Sequence, residues 1–276
     1  MAASNGIPSA VVMETTEKPA MQSVETSERY ETTTPPAFPR IKRRSAEGGS
    51  GSLLARLLRS EATQELMARY IPEAVRDHIQ RGLELDCGER EVTVLFVDLH
   101  GFTGFAEPLG AAQVFDVLSA YTRSVSRQIQ RHGGTVVEFS GDGLMAVFGA
   151  LEALENKERA GVAAARAMVH EVRRLRDPSG RALPVGVGIA TGNAYVGSIQ
   201  SADRMIWSAV GNTTNLASRL QKLAQELSTP IVLDAHTRRR AGTLAGDFLH
   251  HPRTSIRGRK LPMDVWVLPE RQTSAT

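Results

Sequence analysis

The segments around Asp98 and Asp142 hold the residues with the clearest chemistry. Asp98 directly follows the apolar run VTVLFV, and Asp142 follows the run TVVEF through a turn of sequence SGDG. Both runs have the composition of buried strands, and neither aspartate has an obvious basic partner in the sequence. Buried carboxylates need a cation, and Mg²⁺ or Mn²⁺ held together with phosphate oxygens suits such a pair. Singly, each aspartate is more commonly a helix cap or a turn residue; together they indicate a metal site.

The loop after Asp98 has the composition of a phosphate-binding turn. It runs through Gly101, Phe102, Thr103 and Gly104, and its glycines leave backbone N–H groups open to phosphate oxygens at the start of the next helix. An ordinary strand-to-helix turn would have the same composition. It is not a Walker A loop, because no Gly-Lys-Ser/Thr follows.

A third group of polar residues lies in the run VGNTTNLASR, from Val210 to Arg219. Asn215 and Arg219 are four residues apart, so on a helix they share one face. Beside a phosphate, that face offers an amide to orient a sugar and a guanidinium to hold developing negative charge. A solvent-exposed polar face would show the same spacing.

The elements that must position these residues alternate between strands and helices. The alternation follows no strict βαβα repeat, and hairpins join several strands, which predicts an α+β, ferredoxin-like mixed sheet with helices on one face. Gly192 and Gly197 are expected to break the chain after the fourth strand. The end of the chain, 246–268, predicts two or three antiparallel strands. The other predicted strands are 91–97, 135–139, 144–148, 183–191 and 230–233, and the predicted helices are 111–131, 157–176, 213–227 and 235–240.

The rest of the chain divides by composition. Residues 1–50 are rich in Ser, Thr, Glu, Pro and Gly and show no apolar period, which predicts a disordered tail. Residues 51–86 show helical apolar spacing and predict a helical linker that either packs on the following domain or pairs between subunits. Residues 87–269 are predicted to form one catalytic domain, followed by a tail over 270–276.

Composition and charge exclude several classes of protein. A net charge of +3 over 276 residues is nearly balanced, and the basic cluster from Arg40 to Arg44 lacks interleaved aromatic residues, so a nucleic-acid partner is not expected. Cys87 is the only cysteine, which fits a reducing compartment. No stretch has the length of a membrane helix or of a signal peptide's apolar region. The sequence predicts a cytoplasmic protein without a membrane segment.

Three runs in this order, FVDLHGFTGF, EFSGDGLMAVFG and SAVGNTTNLASRL, resemble the catalytic domain of class III nucleotidyl cyclases. The resemblance covers most of residues 90–268. It implies a head-to-tail homodimer whose active sites are shared across the interface. It also implies two ions, Mg²⁺ or Mn²⁺, in each active site, with a nucleoside triphosphate as substrate.

The resemblance implies a role for each matching residue. Asp98 and Asp142 of one subunit would bind the metals, assisted by the backbone carbonyl of Leu99. Asn215 and Arg219 of the other subunit would act on the transition state, Asn215 on the ribose and Arg219 on the pentacoordinate phosphorus as the 3′-hydroxyl attacks and pyrophosphate leaves. The triphosphate contacts implied are Gly101, Phe102, Thr103 and Arg259, with Arg204 as a further candidate.

Two positions choose the base in this family. The first is Glu138, four residues before Asp142, where adenylyl cyclases typically carry lysine and guanylyl cyclases glutamate. A carboxylate accepts hydrogen bonds from guanine N1–H and N2–H₂ together, whereas adenine N1 is itself an acceptor. The second is Ser208, three residues before Gly211, whose hydroxyl suits either base. Glu138 therefore predicts a guanylyl cyclase that uses GTP in preference to ATP.

Other functions stay open at this stage. An adenylyl or dual-specificity cyclase would share every motif except Glu138. A nucleotide-binding regulatory module without turnover would not need to keep Asp98, Asp142, Asn215 and Arg219. The GG(D/E)EF signature of diguanylate-synthesising enzymes is absent from the sequence. Nothing in the sequence identifies a regulatory partner.

Overall fold

The structure is a computed structural model that describes residues 87–177, 180–200 and 205–270. The predictions for residues 1–86 and 271–276, and the candidate Arg204, lie outside the described residues. No helix in the described ranges is long and apolar enough to cross a membrane.

The strands are β1 (Gly88–Leu99), β2 (Gly134–Ser140), β3 (Gly143–Phe148), β4 (Val185–Gln200), β5 (Met205–Val210), β6 (Ile231–Asp234), β7 (Leu249–Thr254) and β8 (Met263–Val267). The helices are α1 (Phe102–Ala106), α2 (Ala111–Arg131), α3 (Lys157–Val172), α4 (Asn212–Glu226) and α5 (Ala235–Ala241), followed by a 3₁₀ turn, Gly242–Ala245.

The eight strands form one mixed sheet, as predicted. Its order is β2-β3-β1-β4-β6-β8-β7, with β5 paired to the end of β4. β1 runs antiparallel to β3 and, over its whole length, to β4, whereas β4 and β6 are parallel. β1 is therefore a central strand, and it carries Asp98 to one end of the sheet.

Helices cover both faces of this sheet, so the expectation of helices on one face was wrong. Leu95, Val97 and Leu99 of β1 pack with α2 and α3, whereas Val92 and Val94 pack with α4. The reason is visible in the run VTVLFV, which is apolar at successive positions. A strand with this composition is buried on both sides and needs a layer on each.

β4 is longer than predicted, because neither Gly192 nor Gly197 ends it. A Cβ at Gly192 would lie 2.8 Å from Thr213 Oγ1, and one at Gly197 would lie 2.8 Å from Cys87 Sγ. Both glycines are therefore sites where a neighbouring residue packs closely against the strand. The extended end of β4 pairs with β5, a strand that the sequence did not predict.

The remaining elements follow the predictions with shifts at their ends. α2 has the predicted bounds, and α3 ends at Val172, four residues before the predicted end. β2 is buried only in its first half: Val136 is 8% exposed, whereas Phe139 is 56% exposed. The segment that leads to Asp142 is therefore on the surface, although the apolar run predicted burial.

Candidate active site

Asp98 and Asp142 come together at the end of the sheet. Asp98 is the second-last residue of β1, and Asp142 lies in the tight turn between β2 and β3. Burial is the main cause that raises the pKa of Asp98 from 3.8 to about 6, and the charge of Asp142 and a hydrogen bond with its carboxyl add to the effect. The peptide N–H of Leu99 donates to Asp98 Oδ1 at 3.1 Å and opposes this shift. The two carboxyls therefore repel each other when both are ionised.

The site fits a divalent cation. Two carboxylates that raise each other's proton affinity are stabilised when a cation lies between them, because the cation offsets their mutual repulsion. Oxygen ligands suit Mg²⁺ and Mn²⁺. The positive charge of Lys222 on α4 lowers the pKa of Asp98, but this effect is the smallest of those that act there. Among the described residues no group of three or more His, Cys, Asp or Glu side chains forms a complete metal site. Asp98, Asp142 and the Leu99 carbonyl would thus leave metal positions for substrate oxygens.

Tyr121 on α2 lies behind the acidic pair. It is 1% exposed, and its hydroxyl has no hydrogen-bond partner among the described residues. Burial raises the pKa of Tyr121 well above its usual value, and the charges of Asp98 and Asp142 add to this effect. A neutral phenol so close to two carboxylates leaves their charge uncompensated.

The loop after Asp98 forms the turn into α1. Gly101 precedes the helix with a φ of 63°, in the left-handed region that favours glycine. Phe102 stacks on Phe105 with ring centroids 5.8 Å apart, and this contact fixes the short helix against the buried core. Thr103 and Gly104 are exposed, a few residues after the end of β1 that carries Asp98. The loop is therefore exposed near Asp98, and its contact with phosphate stays a prediction.

A cavity of about 250 Å³ opens beside Asp98 between the sheet and α4. Its apolar lining includes Phe96 and Met145, and Glu138 of β2 lines it as well. Glu138 pairs in register with Met145, so it faces the same side of the sheet as Phe96 and Asp98. The polar residues that α4 adds to the lining are Ser218, Gln221 and Lys222.

Of the described residues predicted for the site, only Asp98 and Glu138 line this cavity. The predicted residues that do not line it are Leu99, Gly101, Phe102, Thr103, Asp142, Ser208, Asn215, Arg219 and Arg259. Ser208 is 9% exposed within β5. Asn215 is exposed on the first turns of α4. Arg219 turns to the β7–β8 loop, where its Nη1 donates to the Gly258 carbonyl at 3.0 Å. Neither residue of the predicted transition-state pair therefore lines the cavity beside Asp98.

Arg259 lies in the same loop as Gly258, on the surface. Arg257, Arg259 and Lys260 are all exposed there, and a turn hydrogen bond of 2.9 Å from Arg259 N to Ile256 O closes the loop. The loop therefore gathers three positive charges beside Arg219. That Arg259 contacts phosphate stays a prediction.

Sequence reasoning missed several residues of the cavity. Ser218 lies between Asn215 and Arg219 on the same helix. Gln221 and Lys222 come three and four residues after Ser218, which places the three on one face. Gln221 is 6% exposed, and its Nε2 has no hydrogen-bond partner among the described residues. A helical projection from Ser218 would have found this face. The contact between Arg219 and Gly258 spans 39 residues of sequence, and no local pattern signals it.

Comparison with known proteins identifies a family. The family described as "Adenylate and Guanylate cyclase catalytic domain" matches residues 88–269. An uncharacterized protein of Mycobacterium tuberculosis is 29% identical over 190 residues, which is 68% of this chain and 35% of that protein. A second uncharacterized protein of the same organism is 29% identical over 194 residues, which is 70% of this chain and 34% of that protein. The chain thus matches about a third of the length of these relatives.

Solved structures with the same fold act on different nucleotides. The guanylyl cyclase Cya2 is 28% identical with a TM-score of 0.57, covering 68% of this chain and 97% of that one. The adenylyl cyclase CyaB from P. aeruginosa is 24% identical with a TM-score of 0.56, and the match covers 69% of this chain and 100% of that one. The guanylate cyclase domain of RhGC from Catenaria anguillulae, solved with GTP, is 23% identical with a TM-score of 0.57. The match covers 67% of this chain and 100% of that one. The likeness to the last two is a likeness of fold.

Proposed function

The chain belongs to the adenylate and guanylate cyclase catalytic domain family, and from that premise we propose that it is a guanylyl cyclase, which converts GTP to cyclic GMP and pyrophosphate. The α+β cyclase fold and the class III nucleotidyl cyclase domain are established by the match over residues 88–269. The choice of GTP, the metals and the homodimer are parts of the proposal. Its roles for individual residues are predictions from the sequence motifs.

Glu138 carries the choice of GTP. Glu138 lines the cavity beside Asp98, together with the apolar residues Phe96 and Met145. A purine ring buried on such a surface needs partners for its polar edge, because an unpaired polar group costs about 1–3 kcal/mol. Guanine offers two donors, N1–H and N2–H₂, that one carboxylate accepts together. Adenine offers an acceptor at N1, which a carboxylate repels.

In the proposed reaction the ribose 3′-hydroxyl gives its proton to solvent and its oxygen bonds to the α-phosphorus of GTP. The bond from that phosphorus to the departing pyrophosphate oxygen breaks. Asp98, Asp142 and the Leu99 carbonyl would hold two divalent ions, Mg²⁺ or Mn²⁺, which supply charge stabilisation and a more acidic 3′-hydroxyl when bound. The chain's carboxylates would hold these positions fixed from the rigid end of the sheet. Because the site is preorganised, little reorganisation is needed as charge develops.

The other predicted residues bind and orient the nucleotide. Arg219 donates N–H groups to the phosphoryl oxygens as negative charge builds on them. Asn215 orients the ribose so that the 3′-oxygen is in line with the bond that breaks. The triphosphate is contacted by Arg259 and by the loop of Gly101, Phe102 and Thr103.

A head-to-tail homodimer would complete the site. Arg219 bonds to the Gly258 carbonyl and does not line the cavity beside Asp98 of its own protomer. Across a two-fold interface, the acidic pair of one protomer would meet Asn215 and Arg219 of the partner subunit. Phe139, Tyr195 and Val210 are 56%, 57% and 55% exposed, and such apolar side chains suit burial between two copies.

Product analysis tests the proposal. The purified full chain would be incubated with GTP or ATP, with Mn²⁺ or Mg²⁺, and the products resolved by chromatography. We expect cyclic GMP to be the main product. Glu138→Lys should shift the preference toward ATP, whereas Glu155→Lys, the same charge change at an exposed position outside the cavity, should not. Formation of cyclic AMP by the unmodified protein would overturn the assignment of guanine as the base. If a folded dimer formed neither cyclic GMP nor cyclic AMP, the proposal that the protein is an active cyclase would be wrong.

ATP is the second candidate substrate because of Ser208. Its hydroxyl both donates and accepts hydrogen bonds, so it suits guanine O6 and adenine N6–H₂ equally. A dual-specificity enzyme would form both products in the same assay. Competition between GTP and ATP in one tube measures the preference directly as a ratio of kcat/KM values.

A further inference from the structure

We propose that Gly258 is a positioning residue for Arg219: its carbonyl anchors the guanidinium, and its missing side chain makes the room for it. The inference rests on the proposed function, because it concerns how the transition-state arginine is held. It assigns a role to the backbone of the β7–β8 loop that the sequence motifs do not contain.

The contact is close on both sides of Gly258. Arg219 Nη1 donates to the Gly258 carbonyl at 3.0 Å. A Cβ at Gly258 would lie 3.0 Å from Arg219 Nη2 and 3.2 Å from its Cζ. The φ of Gly258 is +78°, in the left-handed region that favours glycine. Any other residue would therefore be strained at this position and would press on the guanidinium.

The loop that carries Gly258 is itself held in place. Ile256 is 3% exposed and belongs to the core cluster under α4, which includes Leu216 and Leu220. The hydrogen bond from Arg259 N to Ile256 O closes a turn around Gly258. The accepting carbonyl is thus fixed relative to the helix that carries Arg219, and the anchor restricts a long side chain that would otherwise sample many rotamers.

A neutral anchor orients Arg219 and leaves its charge available. No carboxylate forms an ion pair with Arg219 among the residues that the structure describes. A guanidinium has five N–H donors, and the carbonyl uses one, so the others stay free for an anionic ligand. The exposed Arg257, Arg259 and Lys260 lie on the same loop. The carbonyl of Gly258 therefore ties the arginine to a basic loop that suits the phosphates of one nucleotide.

A set of variants of the full chain tests this role. Gly258→Ala adds the Cβ, and Gly258→Asn adds it with a side chain that tolerates the left-handed conformation better. Gly180→Ala is the matched control: Gly180 also has a left-handed φ, of +84°, but no atom lies within 4 Å of its added Cβ. Misplacement of a catalytic group by about 1 Å costs about 100-fold in rate. We expect both Gly258 variants to lower kcat by about 10- to 100-fold with a much smaller change in KM, and Gly180→Ala to keep the parent values.

A double-mutant cycle with Arg219→Ala separates positioning from general damage. If Gly258 acts through Arg219, then Gly258→Ala should change kcat little once Arg219 is already alanine. An equal loss with and without Arg219 would overturn the proposal. Unchanged kcat in both Gly258 variants would overturn it as well.

A measurement without substrate keeps the inference distinct from the proposed function. NMR of the arginine side chains, with Arg219 assigned by loss of its signal in Arg219→Lys, reports rotation about its Nε–Cζ bond. We expect slow rotation in the parent protein and faster rotation in both Gly258 variants. Fast rotation in the parent would overturn the anchor even if the enzyme is active. If Arg219 rotates slowly in a protein that makes no cyclic nucleotide, the role of Gly258 as its anchor would be supported and the proposed function would be wrong.

Discussion

The backbone of Gly188 in β4 lies directly against the backbone of Gln221 in α4. A Cβ at Gly188 would stand 2.1 Å from the Gln221 nitrogen and 2.3 Å from the Ala217 carbonyl oxygen. Helix and strand therefore approach as closely as they do only because this residue has no side chain. The approach sets the height of α4 above the sheet, and with it the depth at which Ser218 and Lys222 line the cavity beside Asp98.

We predict that Gly188→Ala destabilises the protein. The atoms it would meet belong to the backbone, so the helix must shift, and overpacking of this kind costs about 1–3 kcal/mol or more. Chemical denaturation measures the change in the free energy of unfolding. Gly88→Ala is the control, because Gly88 lies in a strand too and no atom comes within 4 Å of its added Cβ. Equal stability of the two variants would contradict the packing described here.

We predict that Asp98→Asn and Arg219→Ala each keep only a small residual activity when assayed alone, but that a mixture of the two recovers activity. Each change removes a charge from one half of the proposed shared site. In a mixture, about half of the dimers are heterodimers, each with one complete site, so about a quarter of the parent activity should return. The assay is product formation after refolding or co-expression of the two variants. If the mixture shows only the residual activity while the variants still dimerise, the site is not shared in this way.

We predict that stabilisation by Mn²⁺ depends on pH through Asp98. Because its pKa is raised from 3.8 to about 6 in the metal-free protein, the folded state binds this proton more tightly than the unfolded chain does. The contribution of Asp98 to stability is then most favourable below 3.8, falls as the pH rises through about 6, and is constant above that. Divalent ions need the ionised carboxylates. The rise in Tm on adding Mn²⁺ should be small below this pKa and should reach a plateau above it.

Asp98→Asn is the control for this titration. It removes the titrating carboxyl with little change in shape, so the pH dependence of the Mn²⁺ effect should lose the step near the pKa of Asp98. Asp116→Asn, at an exposed position on α2, should leave the step in place. The step would have another origin if it persisted unchanged in Asp98→Asn.

We predict that Tyr121→Phe does not destabilise the metal-free protein. The hydroxyl is buried and has no partner among the described residues, and a buried unpaired polar group costs about 1–3 kcal/mol. Its removal should leave the free energy of unfolding unchanged or raise it by about 1 kcal/mol. A clear loss of stability in Tyr121→Phe would mean that the hydroxyl has a partner in solution.

Local sequence patterns predicted the acidic pair, which is the central part of the site. The apolar run before Asp98 and the Gly-Asp-Gly turn at Asp142 each encode their own strand or turn, and the structure places both aspartates at the same end of the sheet. The bounds of α2 also follow from its own periodicity and the glycines after it. Such features depend on residues close together in the chain, and these are visible in the sequence.

Other features depend on contacts between distant residues. Gly192 and Gly197 indicate breaks when they are considered alone, but Thr213 and Cys87 occupy the space of their missing side chains, so β4 continues through both. The exposed end of β2 is a second example, because burial of Phe139 would need a neighbour that the described residues do not supply.

The sequence by itself determined the family, the acidic pair and the polar face of α4, because each is written in a short motif with its own local chemistry. Only the tertiary structure decided that α4 covers the opposite face from α2 and α3, that Lys222 and Gln221 line the cavity of Asp98, and that Arg219 is held by Gly258. The physical reason is that these relationships depend on close packing between elements. That packing is set by the combined shapes of residues far apart in the chain.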